Sequence, residues 1–212
     1  MRIIQISGKG RVGKTTLANL IAKYSFELGY TPIILPFAEA IKDQAAQQGI
    51  TKENDSSKYR EFCQKLGAEK RKEDADYWVT RTFSKMQEYM VKEIDNKREE
   101  KSYYEYVIIQ DDVQYMNELA LGRELAATQI FLSQGERDLS EMDATWRNHE
   151  SEDMANQIEI SFTKPNSEYE DAFDVIIFND GTAEDLEHEV KINIIEWLEY
   201  GYIDLEFVDE AE

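Results

Sequence analysis

Apolar positions along this chain switch between a run-like and a helical rhythm, and the switches predict its elements. Ile3, Ile4 and Ile6 form a short apolar run that stops at a glycine-rich segment, which predicts a strand over residues 2–6. Just beyond that segment, Leu17, Leu20, Ile21, Tyr24 and Leu28 fall at i, i+3, i+4, i+7 and i+11, the stripe of an amphipathic helix stopped by Gly29. Residues 31–36 read as a second short strand with prolines at its edges. Residues 37–48 have a helical pattern, residues 54–57 a turn and cap, and Tyr59, Phe62, Cys63 and Leu66 line one face of the next helix. A longer helix is predicted from about residue 74 to 93, with Val79, Phe83, Met86 and Met90 as its buried stripe, followed by a charge-dense solvated link over 95–101.

The second half keeps the alternation. Residues 106–112 are a buried strand ending in two carboxylates, Asp111 and Asp112; Met116, Leu119 and Ala120 follow on a helix, and 128–132 is the next strand. Residues 134–154 are polar and lack apolar periodicity, which predicts a loop or lid. Ile158, Ile160 and Phe162 alternate, which predicts an extra strand over 157–162; residues 164–171 read as a loop and 173–178 as the last core strand. The final helix starts at Thr182 with Asp185 as its capping-box partner and buries Leu186, Val190, Ile194, Trp197 and Leu198; the acidic tail from Gly201 is peripheral. No internal repeat is visible. Strands alternating with helices imply a doubly wound α/β architecture with a mostly parallel sheet, whose ligands bind at the carboxyl ends of the strands.

That rule directs attention to the segment after the first strand, SGKGRVGKTT. Gly8-x-x-x-x-Gly13-Lys14-Thr15 satisfies the phosphate-loop pattern, and strand, glycine-rich loop and helix occur in the order the pattern needs. Gly8, Gly10 and Gly13 let successive backbone N–H groups turn inward on phosphate oxygens, with Arg11 and Thr16 in the same cradle. Lys14 supplies a point charge and the Thr15 hydroxyl a Mg²⁺ ligand, so ATP and Mg²⁺ are the expected partners. Asp112, or its neighbour Asp111, ends a β-branched run where a second metal-side carboxylate belongs. Arg137 and Arg147, in the lid-like segment, are candidate cations to close over a transferring phosphoryl group, with His149 beside them. His188 is expected to be solvated.

Composition narrows the setting. The chain has 212 residues, enough for one domain with a sizeable core. Its 24 basic and 44 acidic side chains give a formal charge of −20, a surface that repels nucleic acid and anionic membranes unless cations concentrate locally. A lone cysteine, Cys63, allows no intramolecular disulfide; it suits a reducing cytoplasm and is expected to be a buried structural thiol. Neither a signal peptide nor a membrane helix is expected, since residues 2–6 already read as a strand and no apolar run is long enough to span a bilayer.

Several further segments resemble, in order, those of phage-type deoxynucleoside monophosphate kinases. They are Phe37-Ala-Glu-Ala-Ile-Lys42, Arg60-Glu-Phe-Cys-Gln64-Lys-Leu66-Gly67, Asp76-Tyr-Trp78-Val79, Asp112-Val-Gln114-Tyr-Met-Asn117-Glu118, His149-Glu-Ser151-Glu152 and Asn179-Asp180-Gly181-Thr182. The resemblance runs from Ile4 to about Leu198. It implies a P-loop NTPase fold of three α/β/α layers in a single domain over residues 1–212, with a helical acceptor-binding segment at about 37–95 and a lid at about 134–154. It also implies transfer of the ATP γ-phosphoryl to a deoxynucleoside 5′-monophosphate in the cytoplasm, the host's if phage-encoded. Lys42 and Arg60 would hold the acceptor phosphate, and Gln64, Trp78 and Gln114 would lie near the nucleotide. Gln114 stands where the family usually has arginine, and the stretch from 156 to 170 looks longer than usual. The expected partner is this small molecule, neither nucleic acid nor membrane, with a homodimer left open.

Three other readings compete. Lys9 in the loop also resembles the extra lysine of partition and division-site switch ATPases. Here the second strand lacks the aspartate such proteins carry and Asp112-Val113-Gln114 makes a poor switch, so Lys9 reads as a solvated loop lysine. A kinase acting on modified bases within DNA would want a basic track. A catalytically silent regulator would not need Gly13, Lys14 and Thr15 intact.

Overall fold

A computed structural model of the chain describes residues 1–98, 105–134, 150–161, 172–195 and 197–198. Its elements run β1 (Arg2–Ser7), α1 (Lys14–Glu27), β2 (Thr31–Ile34), α2 (Glu39–Gln47), α3 (Ser56–Glu73), α4 (Tyr77–Arg98), β3 (Tyr106–Val113), α5 (Met116–Glu124), β4 (Thr128–Ser133), α6 (Glu150–Ser161), β5 (Val175–Phe178) and α7 (Ala183–Val190), the last continuing into a π-helical turn at Lys191–Ile195. The five strands form one sheet in the order β2-β3-β1-β4-β5, and every neighbouring pair is parallel. Pro32 lies in the edge strand β2, where its missing N–H costs no interior ladder bond.

Strand periodicity builds the layers. Ile4 and Ile6, Val107 and Ile109, Ile130 and Leu132 pack with Leu17 and Ile21 of α1 and with Leu186, Val190 and Ile194 on the far side of the chain. Their neighbours serve the other face: Ile3 and Ile108 meet Met86 of α4, while Phe131 meets Leu119 of α5 and Met154, Ala155 and Ile158 of α6. Because side chains alternate across a pleated strand, three central strands supply both halves of this α/β/α sandwich, the three-layer architecture expected. Among the described residues no helix is long and apolar enough to cross a membrane.

Polar residues also enter this core. Gln5 donates to the Gln110 side chain at 2.7 Å and accepts from Gln129 at 2.9 Å, so three glutamines bridge β3, β1 and β4 beneath α5. A Cβ at Gly122 would strike the Gln5 and Gln129 carboxamides, which is why α5 carries a glycine where it crosses them.

Three expectations need correction. Residues 157–162 were expected to form a strand, but α6 is helical through Ser161: Met154, Ala155 and Ile158 are spaced as one helical face, and Ile160 is 53% exposed. In α4 the fully buried residues are Trp78, Thr82, Met86 and Glu93; of the expected stripe Val79, Phe83, Met86 and Met90, Met86 is buried as expected and the other three are half-buried. Glu93 tolerates burial because the N-terminal ammonium (2.8 Å), the Tyr106 N–H (3.1 Å) and Lys97 (3.0 Å) all meet its carboxylate; these partners outweigh the opposing effect of burial and hold its pKa below the usual value. Cys63 is half-buried rather than fully buried, and its thiol is pushed up, chiefly by burial. The expected loop at 164–171 and the tail from Gly201 lie outside the described residues.

Candidate active site

The phosphate loop joins β1 to α1 and bears the backbone strain its glycines are there to accept. Gly8 and Gly13 have φ of 139° and 102°, and Arg11 adopts a left-handed φ of 66°. A Cβ at Gly8 would collide with the Leu132 carbonyl, and one at Gly13 would come within 2.7 Å of the Asn179 side-chain nitrogen. Asn179 Nδ2 in turn donates to the Val12 carbonyl at 2.8 Å, so the residue that follows β5 clasps the crown of the loop. Asn179 belongs to a segment that resemblance pointed to; nothing in its own type or spacing would have assigned it this contact.

Lys14 Nζ folds back on its own loop, donating to the Gly8 and Lys9 carbonyls at 2.6 and 2.7 Å. Burial lowers the Lys14 pKa, opposed by the nearby carboxylates of Glu152, Asp112 and Asp111. Its ammonium therefore lies in the field of three carboxylates while bonded to carbonyls of the loop.

The two aspartates ending β3 divide their work. Thr15 Oγ1 donates to Asp111 Oδ2 at 2.9 Å, so Asp111 is the carboxylate that meets the loop hydroxyl. Asp112, expected to be the metal-side and catalytic carboxylate, instead accepts from the Phe37 N–H at 2.7 Å and the Ala38 N–H at 2.9 Å and so fixes the entry to α2. Burial raises its pKa, while the Lys42 charge and the two amide donors oppose that rise. Thr15 and Asp111 together form a hard oxygen donor set of the kind that suits Mg²⁺.

Beyond Asp112 lies the segment expected on the acceptor side. Lys42, Arg60 and Gln64 are exposed on α2 and α3, with the Lys42 charge felt at both Asp112 and Cys63. Trp78, expected near the nucleotide, is instead 1% exposed, and its indole N–H donates to the Gly67 carbonyl at 3.2 Å, which makes it the pin between α3 and α4. Gln114 is half-buried, and its backbone N–H donates to Glu118 at 2.9 Å. Arg137, Arg147 and His149 lie outside the described residues, as does most of the expected lid; its last five residues, 150–154, open α6. Arg11 and Thr16 are exposed, and His188 is exposed as expected.

Two features here escaped sequence reasoning. Arg71 stacks over Tyr115 at 3.8 Å and lies 3.5 Å from the Glu118 carboxylate, next to Gln114 in the fold. Its place in the run Lys70-Arg71-Lys72 reads in sequence as a helix-end charge cluster, and only its partners distinguish it. Glu118 accepts from the N–H groups of Gln114 and Tyr115, and burial, with the Asp112 charge, pushes its pKa up to about 8. The second missed feature is α6. Glu152, 5% exposed, accepts from the Gly10 N–H at 2.9 Å, and Glu159 pairs with Lys9. Lys9 is therefore a paired residue and not the solvated lysine expected.

No family model matches this chain, and no curated protein matches it either. Among solved structures, it is similar to shikimate kinase from Aquifex aeolicus, with 12% identity, a TM-score of 0.42 and coverage of 95% of this chain and 98% of that one. It is similar also to shikimate kinase from Bacteroides thetaiotaomicron, with 13% identity, a TM-score of 0.42 and coverage of 93% and 98%.

Proposed function

We propose that this protein is a phosphotransferase that moves the γ-phosphoryl group of ATP to a small phosphorylated acceptor, a deoxynucleoside 5′-monophosphate. The observation that carries the reading is the splitting of one strand end between the phosphate loop and the start of α2. Asp111 bonds the phosphate-loop threonine, Asp112 next to it fixes the start of α2, and Lys42 places a cation beside Asp112 on the acceptor side. Transfer between two anions requires their reacting ends to be held together while repulsion is neutralised, and a rigid link between donor and acceptor regions serves that need.

The loop's N–H groups and Lys14 bind the donor's polyphosphate, and Thr15 with Asp111 would hold Mg²⁺, which supplies charge neutralisation at the donor phosphates. Lys42, Arg60 and Arg71 orient the acceptor phosphate, with Arg71 supplying the cation that the resemblance would have put at Gln114. The deoxynucleotide class rests on the ordered series of resembling segments. Arg137 and Arg147 remain the candidates to close over the transferring group.

The test is product formation. Purified protein is incubated with Mg·ATP and, separately, dTMP, dGMP, dCMP, dAMP, dUMP and a 5-hydroxymethyl pyrimidine nucleotide, and products are separated chromatographically. A nucleoside diphosphate appearing with one or a few acceptors is expected. ADP released at one slow rate with every acceptor and with none would refute the reading.

A further inference from the structure

The phosphate loop is made to attract anions, yet an anion of the chain's own lies on it. Glu152 comes from α6, far along the sequence from the loop, and its carboxylate accepts the Gly10 N–H at 2.9 Å while almost wholly removed from solvent. It also lies close enough to Lys14 to be the largest of the charges favouring that ammonium. A second carboxylate of α6, Glu159, pairs with Lys9 and accepts from Ser133 Oγ at 3.3 Å. The helix that carries both is seated by Met154, Ala155 and Ile158 among Phe37, Val113, Leu119 and Phe131. An acidic helix is thus locked over the glycine-rich loop, with two carboxylates on the loop's own cationic and N–H positions.

We propose that Glu152 is a resident phosphate mimic that sets the threshold for what the loop binds; this deepens, and rests on, the reading of the loop as a nucleotide site. A carboxylate and a phosphate oxygen compete for the same N–H and for the same lysine. Because α6 is anchored by apolar contacts on its other face, displacement requires only that the Glu152 side chain swing away, not that the helix leave. An incoming anion must outbid one charge-assisted hydrogen bond, which a magnesium polyphosphate with many oxygens does and inorganic phosphate does not. Glu152 therefore acts as a specificity-determining residue: it lowers affinity for all anions and excludes the small ones.

The experiment measures binding, not turnover. Calorimetric titrations of Mg·ADP, and separately of inorganic phosphate, are run on the full chain, on Glu152→Gln, and on Glu152→Asp, whose carboxylate is one methylene too short for the Gly10 contact. The Gln variant is expected to bind Mg·ADP about tenfold more tightly than the parent, as loss of one competing charge-assisted bond implies. It is also expected to acquire measurable affinity for inorganic phosphate. The Asp variant should shift in the same direction and provides the reading if the Gln variant does not fold. Unchanged or weaker Mg·ADP binding in the folded variants would overturn the proposal and make Glu152 a structural brace of the loop. The kinase reading fails separately, if Mg·ADP binds and yet no acceptor yields a diphosphate.

Discussion

Glu118 provides the most quantitative handle on this site, because its ionisation bears on stability and, under the proposed function, on acceptor binding through Arg71. Its side chain is 2% exposed and its pKa is raised from 4.5 to about 8 by burial and by Asp112, while two amide donors and Arg71 pull the other way. For a carboxyl raised in the folded state, the native protein holds the proton more tightly than the unfolded chain. Stability is therefore greatest below the unfolded value and falls as pH climbs, until the folded value is passed at about 8. The span from 4.5 to about 8 corresponds to a ceiling of roughly 5 kcal/mol. Glu118→Gln keeps the shape and an oxygen for both amides but cannot ionise, so it should flatten this slope. The assay is urea unfolding from pH 5.5 to 9, followed by tryptophan fluorescence, to which buried Trp78 contributes. Parallel profiles for parent and variant, within about 0.5 kcal/mol, would refute the assignment and mean that Arg71 keeps Glu118 ionised throughout. The same chemistry predicts function. Below pH 8 a neutral Glu118 leaves the Arg71 charge uncompensated for an acceptor dianion; above it the carboxylate competes for Arg71. Acceptor KM should rise on crossing that pH in the parent and stay level in Glu118→Gln.

Three further outcomes follow from named contacts. Lys14→Ala should abolish turnover with little change in melting temperature, because among the described residues the ammonium's hydrogen bonds go to the loop's own Gly8 and Lys9 carbonyls and its attraction to Glu152, Asp112 and Asp111 is opposed by the cost of its burial. Asp112→Asn removes the charged acceptor of two amides at the start of α2 and should cost about 1–3 kcal/mol in chemical denaturation. It should also raise the acceptor KM more than the ATP KM, and an equal rise in both would argue against its role in placing α2. Trp78→Phe should lower stability by about 1–3 kcal/mol through the lost Gly67 bond and reduced packing, with the acceptor KM unchanged. A several-fold rise in that KM would restore the indole to the acceptor site.

How far the sequence led depends on how local each signal was. The loop, the strand before it and the helix after it were legible because a pattern in consecutive residues demands one backbone path, and Thr182 with Asp185 announced the last helix by the same logic. The strand order was not legible, since nothing local in β1 says that it inserts between β3 and β4. Burial of Glu93 and the three glutamines was missed because each is satisfied by partners distant in sequence, such as the chain's own N-terminal ammonium. The strand expected at 157–162 failed because Ile158 and Ile160 alternate over too short a span to outvote the helical spacing of Met154, Ala155 and Ile158.

The aspartate pair shows most clearly why residue type was readable and role was not. Either carboxylate at the end of β3 fits a metal-side position by sequence, and in an unbroken strand neighbours would point to opposite faces of the sheet. The pairing of β1 with β3 runs in step from Arg2 with Val107 to Gln5 with Gln110, then slips, so that Ser7 stands opposite Val113. β3 thus carries one extra residue at Asp111–Asp112, a bulge of the kind that re-aims side chains beside functional sites. That extra residue lets two adjacent carboxylates act at the same strand end, one on Thr15 and the other on the amides of Phe37 and Ala38. A bulge has no signature in the residues that form it; it is fixed by where the neighbouring strand resumes pairing. The division of the two aspartates between the phosphate loop and the start of α2 therefore belongs to the assembled sheet, and the loop motif alone could not have assigned it.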